Sequence, residues 1–309
     1  MRRVRFHEYG GPEVLRVEEA AAPVPGPGEL LIRTEAMGVT LPMVRKVRDG
    51  GLPLPGSPGG EVAGRIAALG PSVTGFAVGD RVTALCFRDS YAEQAVVSAA
   101  MASPVPDGAD AVDAVALVRG GLVALGAYTA ARPEPGESVL VTGAAGGVGH
   151  LAVQLARMHG ASRVVAAVSS PAKAGFVRAL GADEVVVYDD ASWGDPVDVV
   201  LDAVGGELLT PAVAALAPGG RLVAYSSGGG TIAAYDLLVG GRTVTGFQMA
   251  RTAATRPDLM ERWRRELWEL RAAGRLRAAV HAVLPLAEAA AAHRIIESRA
   301  NLGKVVLVP

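Results

Sequence analysis

The stretch Val139-Leu-Val-Thr-Gly143-Ala-Ala145-Gly146-Gly147-Val148-Gly149-His-Leu-Ala-Val-Gln154-Leu-Ala-Arg157 decides how the rest of the chain is read. A β-branched apolar run enters a glycine-rich turn that opens directly into apolar residues at helical spacing, so the order is strand, tight turn, helix. Gly146 and Gly147 let a backbone approach a pyrophosphate, and Gly149 lets the helix start pack onto the strand. The free amides at the helix N-terminus then face the anion. Ala145, Gly146, Gly147 and Val148 are the expected phosphate-binding residues. Glycine-rich turns also serve ordinary packing, so the next strand has to discriminate.

That strand, Arg163-Val-Val-Ala-Ala-Val-Ser169-Ser170, ends where an acidic residue would take the ribose 2′-hydroxyl of NAD. Ser169, Ser170 and Lys173 stand there instead, two hydroxyls and a cation suited to a 2′-phosphate dianion. The cofactor therefore reads as NADPH. The serines also suit the cap of a helix starting at Pro171, and the two roles are compatible.

Strands and helices alternate from there. Glu184–Tyr188, Asp198–Asp202, the run 220–226 and Thr243–Phe247 read as strands, with a helix near Glu207 to Leu216. The alternation implies α/β architecture with a doubly wound parallel sheet and a ligand crevice at the carboxyl ends of its strands. Topology adds Tyr188, Val204 in the loop 202–205 and Ser226 to the expected cofactor contacts, and Phe247 is counted with them. Tyr188 equally reads as a strand-end aromatic.

At 309 residues the chain exceeds the usual single domain. Residues before about Asp113 are punctuated by proline and glycine, with short alternating runs such as Glu29–Thr34 and Val62–Leu69, the pattern of a small β-barrel. The expected division is 1–117, then 118–251 for the cofactor, then a return to the first domain over 252–309. A charged helix at Asp258–Ala273 carries Trp263, Leu267 and Leu270 on one side; its interleaved glutamates make it a solvated, salt-bridged face. A net charge of −1 leaves no nucleic-acid footprint. No apolar run is expected to reach membrane-spanning length, and the N-terminus lacks a signal-peptide core, so a cytoplasmic protein is expected. The lone Cys86 excludes an intramolecular disulfide, and the five histidines show no metal-ligand spacing.

Taken in order, Gly59-Gly-Glu-Val-Ala-Gly64, Val73-Thr-Gly-Phe-Ala-Val-Gly79-Asp-Arg-Val82, Gly136-Glu-Ser-Val-Leu-Val141, Ala144–Gly149, Leu180-Gly-Ala-Asp183 and Gly303-Lys-Val-Val-Leu307 resemble the zeta-crystallin-like quinone oxidoreductases. These form the zinc-free branch of the medium-chain dehydrogenase/reductase superfamily. The resemblance covers nearly the whole chain. It implies a GroES-like β-barrel catalytic domain split between the termini, a central Rossmann domain, bound NADPH, and a homodimer paired through the edge strand at Thr243–Phe247. It also brings Gly303 and Lys304 into the expected cofactor set. Zinc-dependent relatives place a cysteine near Gly38-Val39 and a histidine before the glutamate of the glycine-rich string. This chain has Thr40 and Gly60 there, and no metal is expected.

Departures from the resemblance bear on the acceptor. Thr40 and Met43 stand where the family often carries Asn and Asp, and Val123 where it usually carries a threonine beside the nicotinamide. Arg119 occupies a position that is commonly apolar. Its readings are a holder of an oxyanion or enolate, and a helix-end arginine in solvent or paired with Asp113. Thr40 suits a hydrogen bond to a carbonyl and equally a turn. Arg45, Lys46 and Arg48 read as a solvated loop or a lure for an anionic substrate. Thr40 and Arg119 are the candidate catalytic residues. The expected activity is NADPH-dependent hydride delivery to a small hydrophobic quinone or α,β-unsaturated carbonyl. The alternatives are an enoyl reductase of polyketide-like or other specialised metabolism and a non-catalytic NADPH-binding sensor or structural protein.

Overall fold

The computed structural model describes every residue of the chain except Phe87, Ser226 and Ser227. The chain forms two compact units, one of residues 1–119 with 280–309 and one of 120–279.

The second unit is built on six strands, all parallel, in the spatial order Glu184–Val187, Arg163–Val168, Ser138–Thr142, Val197–Asp202, Leu216–Ala224, Thr243–Gly246. Near-continuous apolar runs form these strands because most are covered on both faces. Leu140, Val165, Val200, Ala212 and Leu222 meet in its core. Ser138–Thr142 and Val197–Asp202 lie at the centre, so the glycine-rich turn leaves a central strand, as the α/β reading requires.

The first unit is antiparallel in most of its pairings. Its main sheet runs Val280–Pro285, Lys304–Val308, Glu29–Val39, Glu61–Leu69, Arg81–Leu85, Ala102–Pro104, and Gln94–Ser98 also pairs with Glu29–Val39. Leu30, Ile32, Val62, Ile66, Val82 and Val97 form one cluster. Val4, Met37, Val39, Tyr91, Leu286 and Leu307 form another. Each such side chain contributes roughly 1.5–3 kcal/mol by leaving water.

Two expectations are corrected here. The return to the first unit comes at Val280 and not near 252. The helix Pro257–Ala272 stays with the second unit, where Leu267 fills the space over Gly121 and the Trp263 ring meets Phe247 edge-on at 6.4 Å. Secondly, the helix Ala111–Ala131 is long and apolar enough to cross a membrane by length and composition. It is apolar all round because 78% of its most apolar window is buried in protein, as a core helix is. Three glycines let neighbours approach it. A side chain at Gly120 would meet the Gly147 carbonyl, one at Gly121 the Leu267 methyls, and one at Gly126 the Phe247 ring.

Candidate active site

In the second unit the strand Ser138–Thr142 delivers the chain to Gly143, whose φ of +62° is left-handed. Glycine takes that conformation without penalty. The Gly146 amide donates to the Gly143 carbonyl at 2.9 Å, closing the turn, and the helix Gly149–Met158 starts at once. A Cβ on Gly149 would run into the Gly143 carbonyl and the Ala144 backbone. The expected phosphate cradle of Ala145, Gly146, Gly147 and Val148 is thus a real turn, with no side chain beyond Ala145 and Val148 to block an anion.

Around it the carboxyl ends of the two central strands are tied together. The Thr142 hydroxyl donates to Asp202 Oδ1 at 2.8 Å and accepts from the Ala203 amide at 2.8 Å. The amides of Val204 and Gly205 also donate to Asp202 Oδ1, both at 3.2 Å. This carboxylate shapes the loop that sets Val204 beside Gly143. Asp202 Oδ2 and the Tyr225 hydroxyl are buried without hydrogen-bond partners among the described residues. Burial first, then the Asp202 charge, raises the Tyr225 hydroxyl pKa, so it stays protonated. The Tyr188 hydroxyl accepts from the Gly143 amide at 3.0 Å, which brings this strand-end tyrosine to the glycine turn.

Ser169 and Ser170 follow the strand Arg163–Val168, and both are partly exposed. Ser170 Oγ accepts from the Ala172 amide at 3.3 Å, so the capping role is real. Lys173 closes the short turn Pro171–Lys173. Ser226 lies outside the described residues.

Two features were missed by sequence reasoning. His150 Nδ1 lies 2.8 Å from the Gly146 carbonyl and Nε2 accepts from the Ala279 amide at 3.0 Å, an arrangement that requires the Nδ1–H tautomer. Gln154 and Arg277 exchange two hydrogen bonds, both at 2.9 Å. These two side chains sew the segment 277–279 to the helix that carries the glycine turn. An i, i+4 pair of polar residues on a buried helix face was the available signal.

Phe247, Gly303 and Lys304 complete the expected cofactor set. The Phe247 ring is spent on packing against Gly126 and Trp263. Gly303 and Lys304 belong to the first unit. Lys304 is buried and paired with the buried Glu61 carboxylate, because that is where its charge finds a partner in the core. Burial pulls the Lys304 ammonium pKa downward, Glu61 opposes that, and Arg119 adds to it.

In the first unit Thr40 is buried and precedes the helix Leu41–Asp49. Its carbonyl accepts from the Met43 and Val44 amides, whereas its hydroxyl makes no capping bond. A Cβ on Gly60 would lie 3.6 Å from Thr40 Oγ1, so Thr40 borders the backbone that leads into Glu61. Arg45, Lys46 and Arg48 lie on this helix, not on a loop, and Arg48 pairs with Glu297 at 2.6 Å. Arg119 is not at a helix end: it sits within Ala111–Ala131, partly buried, with Nε sealed from solvent and without a hydrogen-bond partner among the described residues. Cys86 and Tyr91 lie within its electrostatic reach. Burial pushes the Cys86 thiol up to about 11, so it is protonated at neutral pH. Among the described residues no three His, Cys, Asp or Glu side chains are grouped to hold a metal ion.

Comparison with known proteins places this arrangement. Residues 26–107 match the alcohol dehydrogenase GroES-like domain, and residues 180–307 match the family described as zinc-binding dehydrogenase. A quinone oxidoreductase of Pseudomonas aeruginosa is 33% identical, over 100% of this chain and 99% of its own. A 2-haloacrylate reductase of a Burkholderia species is 32% identical, over 98% of each. A mycobacterial protein solved in complex with NADPH superposes with a TM-score of 0.94, at 32% identity and with 100% of both chains covered. With the glycine turn on a central parallel strand and an antiparallel first unit, the chain belongs to the quinone oxidoreductase family, in the zinc-free branch of the medium-chain dehydrogenase/reductase superfamily.

Proposed function

We propose that the protein is an NADPH-dependent oxidoreductase that reduces a quinone or an α,β-unsaturated carbonyl compound without zinc. The observation that carries this reading is the turn Gly143–Gly149, where a Cβ at Gly149 would close the cradle, followed by Ser169, Ser170 and Lys173 in place of a ribose-binding acid. The relatives named quinone oxidoreductase and 2-haloacrylate reductase, and the neighbour solved with NADPH, support it.

Ala145, Gly146, Gly147 and Val148 would hold the pyrophosphate through backbone amides. Ser169, Ser170 and Lys173 would hold the 2′-phosphate, with Tyr188 and Val204 bordering the turn. NADPH, when bound, supplies the hydride, and the protein supplies orientation and dry surroundings. Thr40 and Arg119 would meet the negative charge that develops on the acceptor oxygen. Solvent or the Thr40 hydroxyl would supply the proton that completes the reduction, at the α-carbon of an unsaturated carbonyl or at the oxygen of a quinone.

A homodimer is part of this reading. Thr243–Gly246 ends the parallel sheet with one edge unpaired within the chain. Beside it the helix Ala234–Gly240 exposes Tyr235, Leu238 and Val239, an apolar patch that suits a second copy.

The test is NADPH oxidation, followed by absorbance, against a panel of 1,4-quinones and α,β-unsaturated ketones. Turnover supports the reading, and a preference for enones over quinones selects the enoyl reductase variant. Tight NADPH binding without turnover on any acceptor replaces it with the non-catalytic role.

A further inference from the structure

We propose that Arg119 selects an acceptor that carries a carboxylate on its reducible carbon–carbon double bond; this deepens the reductase reading and rests on it. The argument is one of charge left over. The Arg119 guanidinium is partly buried and its Nε is sealed from solvent without a hydrogen-bond partner among the described residues. A sealed guanidinium N–H without an acceptor is costly, and an anion that meets the cation offsets that cost.

The neighbouring groups do not provide one. Glu61 is committed to Lys304, with its carboxylate filling the space over Gly38 that any other residue's Cβ would occupy. Burial keeps Cys86 and Tyr91 protonated, so neither offers a negative charge. No ion pair forms to Arg119 among the described residues, and one positive charge in this cluster stays unmatched. A planar carboxylate is the complement of a guanidinium fork.

The chemistry calls for the same group. Conjugate reduction of an unsaturated carboxylate is difficult, because a second negative charge develops beside the first. A fixed cation offsets that charge where it appears. The acceptor gains a C–H bond at its β-carbon from the hydride that NADPH gives up. Its alkene electron pair moves to the α-carbon and onto the carboxylate. Water returns a proton to the α-carbon, leaving the saturated acid and NADP⁺.

The test uses crotonate and its neutral counterpart methyl crotonate on the full chain. Binding is measured by titration calorimetry with NADP⁺ present, reduction by NADPH absorbance, and 1,4-benzoquinone serves as an uncharged acceptor. Crotonate is expected to bind more tightly than the ester and to be reduced with the higher kcat/KM. Arg119→Leu lowers the crotonate-to-ester ratio roughly 10- to 100-fold, the worth of a charged hydrogen bond, and Arg119→Lys restores part of it. Equal binding of acid and ester by the wild-type protein, or an unchanged ratio in Arg119→Leu, overturns the proposal; benzoquinone turnover in the same assay leaves the reductase reading standing. Arg119-dependent crotonate binding with no reduction of any acceptor sustains the carboxylate site and removes the reductase reading.

Discussion

Lys304 donates its ammonium to the Glu61 carboxylate across Gly38, and both side chains are almost fully buried, at 5% and 1% exposed. The three residues lie on adjacent strands, with Glu29–Val39 between the other two, so the pair spans the place where the middle strand has no side chain. Removing one partner of such a pair leaves an uncompensated buried charge. Lys304→Met is expected to cost about 3–5 kcal/mol in urea denaturation, and the double variant Glu61→Gln/Lys304→Met to recover a large part of it. Equal stability of the single variant and the wild-type protein would show that the charges are solvated.

A change at Gly38 reaches the same pair from the other side. Alanine there places its Cβ on the Glu61 carboxylate. Gly38→Ala is expected to lose about 1–3 kcal/mol, the usual cost of overpacking, and the loss should shrink in the Glu61→Ala background. Additive losses in the double-variant cycle would contradict the contact.

Gly149 controls the glycine turn. Alanine at this position collides with backbone atoms of Gly143 and Ala144, which have no side-chain freedom with which to yield. Gly149→Ala is expected to weaken NADPH binding at least roughly tenfold in a fluorescence titration, because the amides that face the anion move apart. Gly160→Ala, at a remote glycine with φ of +92°, strains only its own turn and should leave NADPH affinity near that of the wild-type protein.

His293 sets the acid limb of stability. It is 1% exposed, its Nε2 has no hydrogen-bond partner among the described residues, and its ring meets Tyr91 edge-on at 5.8 Å. Burial lowers its pKa from 6.5 to about 4. As pH falls, the unfolded chain therefore takes up this proton before the folded one does. The contribution is intact above pH 6.5, declines through the interval down to about pH 4, and amounts to about 3 kcal/mol across it. Denaturation curves at pH 7 and pH 4.5 should show this loss, and His293→Phe should flatten it. An identical acid limb in the variant would assign the loss to other groups.

The parts of the fold legible in the sequence are those fixed by local stereochemistry. The turn at Gly143–Gly149 had to be a turn because its backbone admits only glycine at key positions, and the alternating strands around it followed from periodicity. What escaped is non-local. Glu61 and Lys304 are 243 residues apart, Gln154 and Arg277 are 123 apart, and His150 and Ala279 are 129 apart. No spacing rule pairs such positions. The Lys304–Glu61 pair and the place of residues 252–279 in the second unit therefore had no signal in the sequence. The packing of Phe247 escaped for a related reason: nothing in the sequence shows that Gly126 opens a notch for its ring. Arg119 was singled out because it breaks an apolar pattern, and its partly buried place in mid-helix agrees with a residue kept for more than solubility.

The central claim is that this chain grips NADPH by its 2′-phosphate, and the most direct test is the ratio of kcat/KM for NADPH over NADH, with the same quinone, in the wild-type protein and in Lys173→Ala. The account predicts a wild-type ratio well above one and a fall of roughly 10- to 100-fold in the variant, the worth of a charged hydrogen bond, with NADH kinetics nearly unchanged. A wild-type preference for NADH, or a variant that loses both cofactors equally, would contradict it.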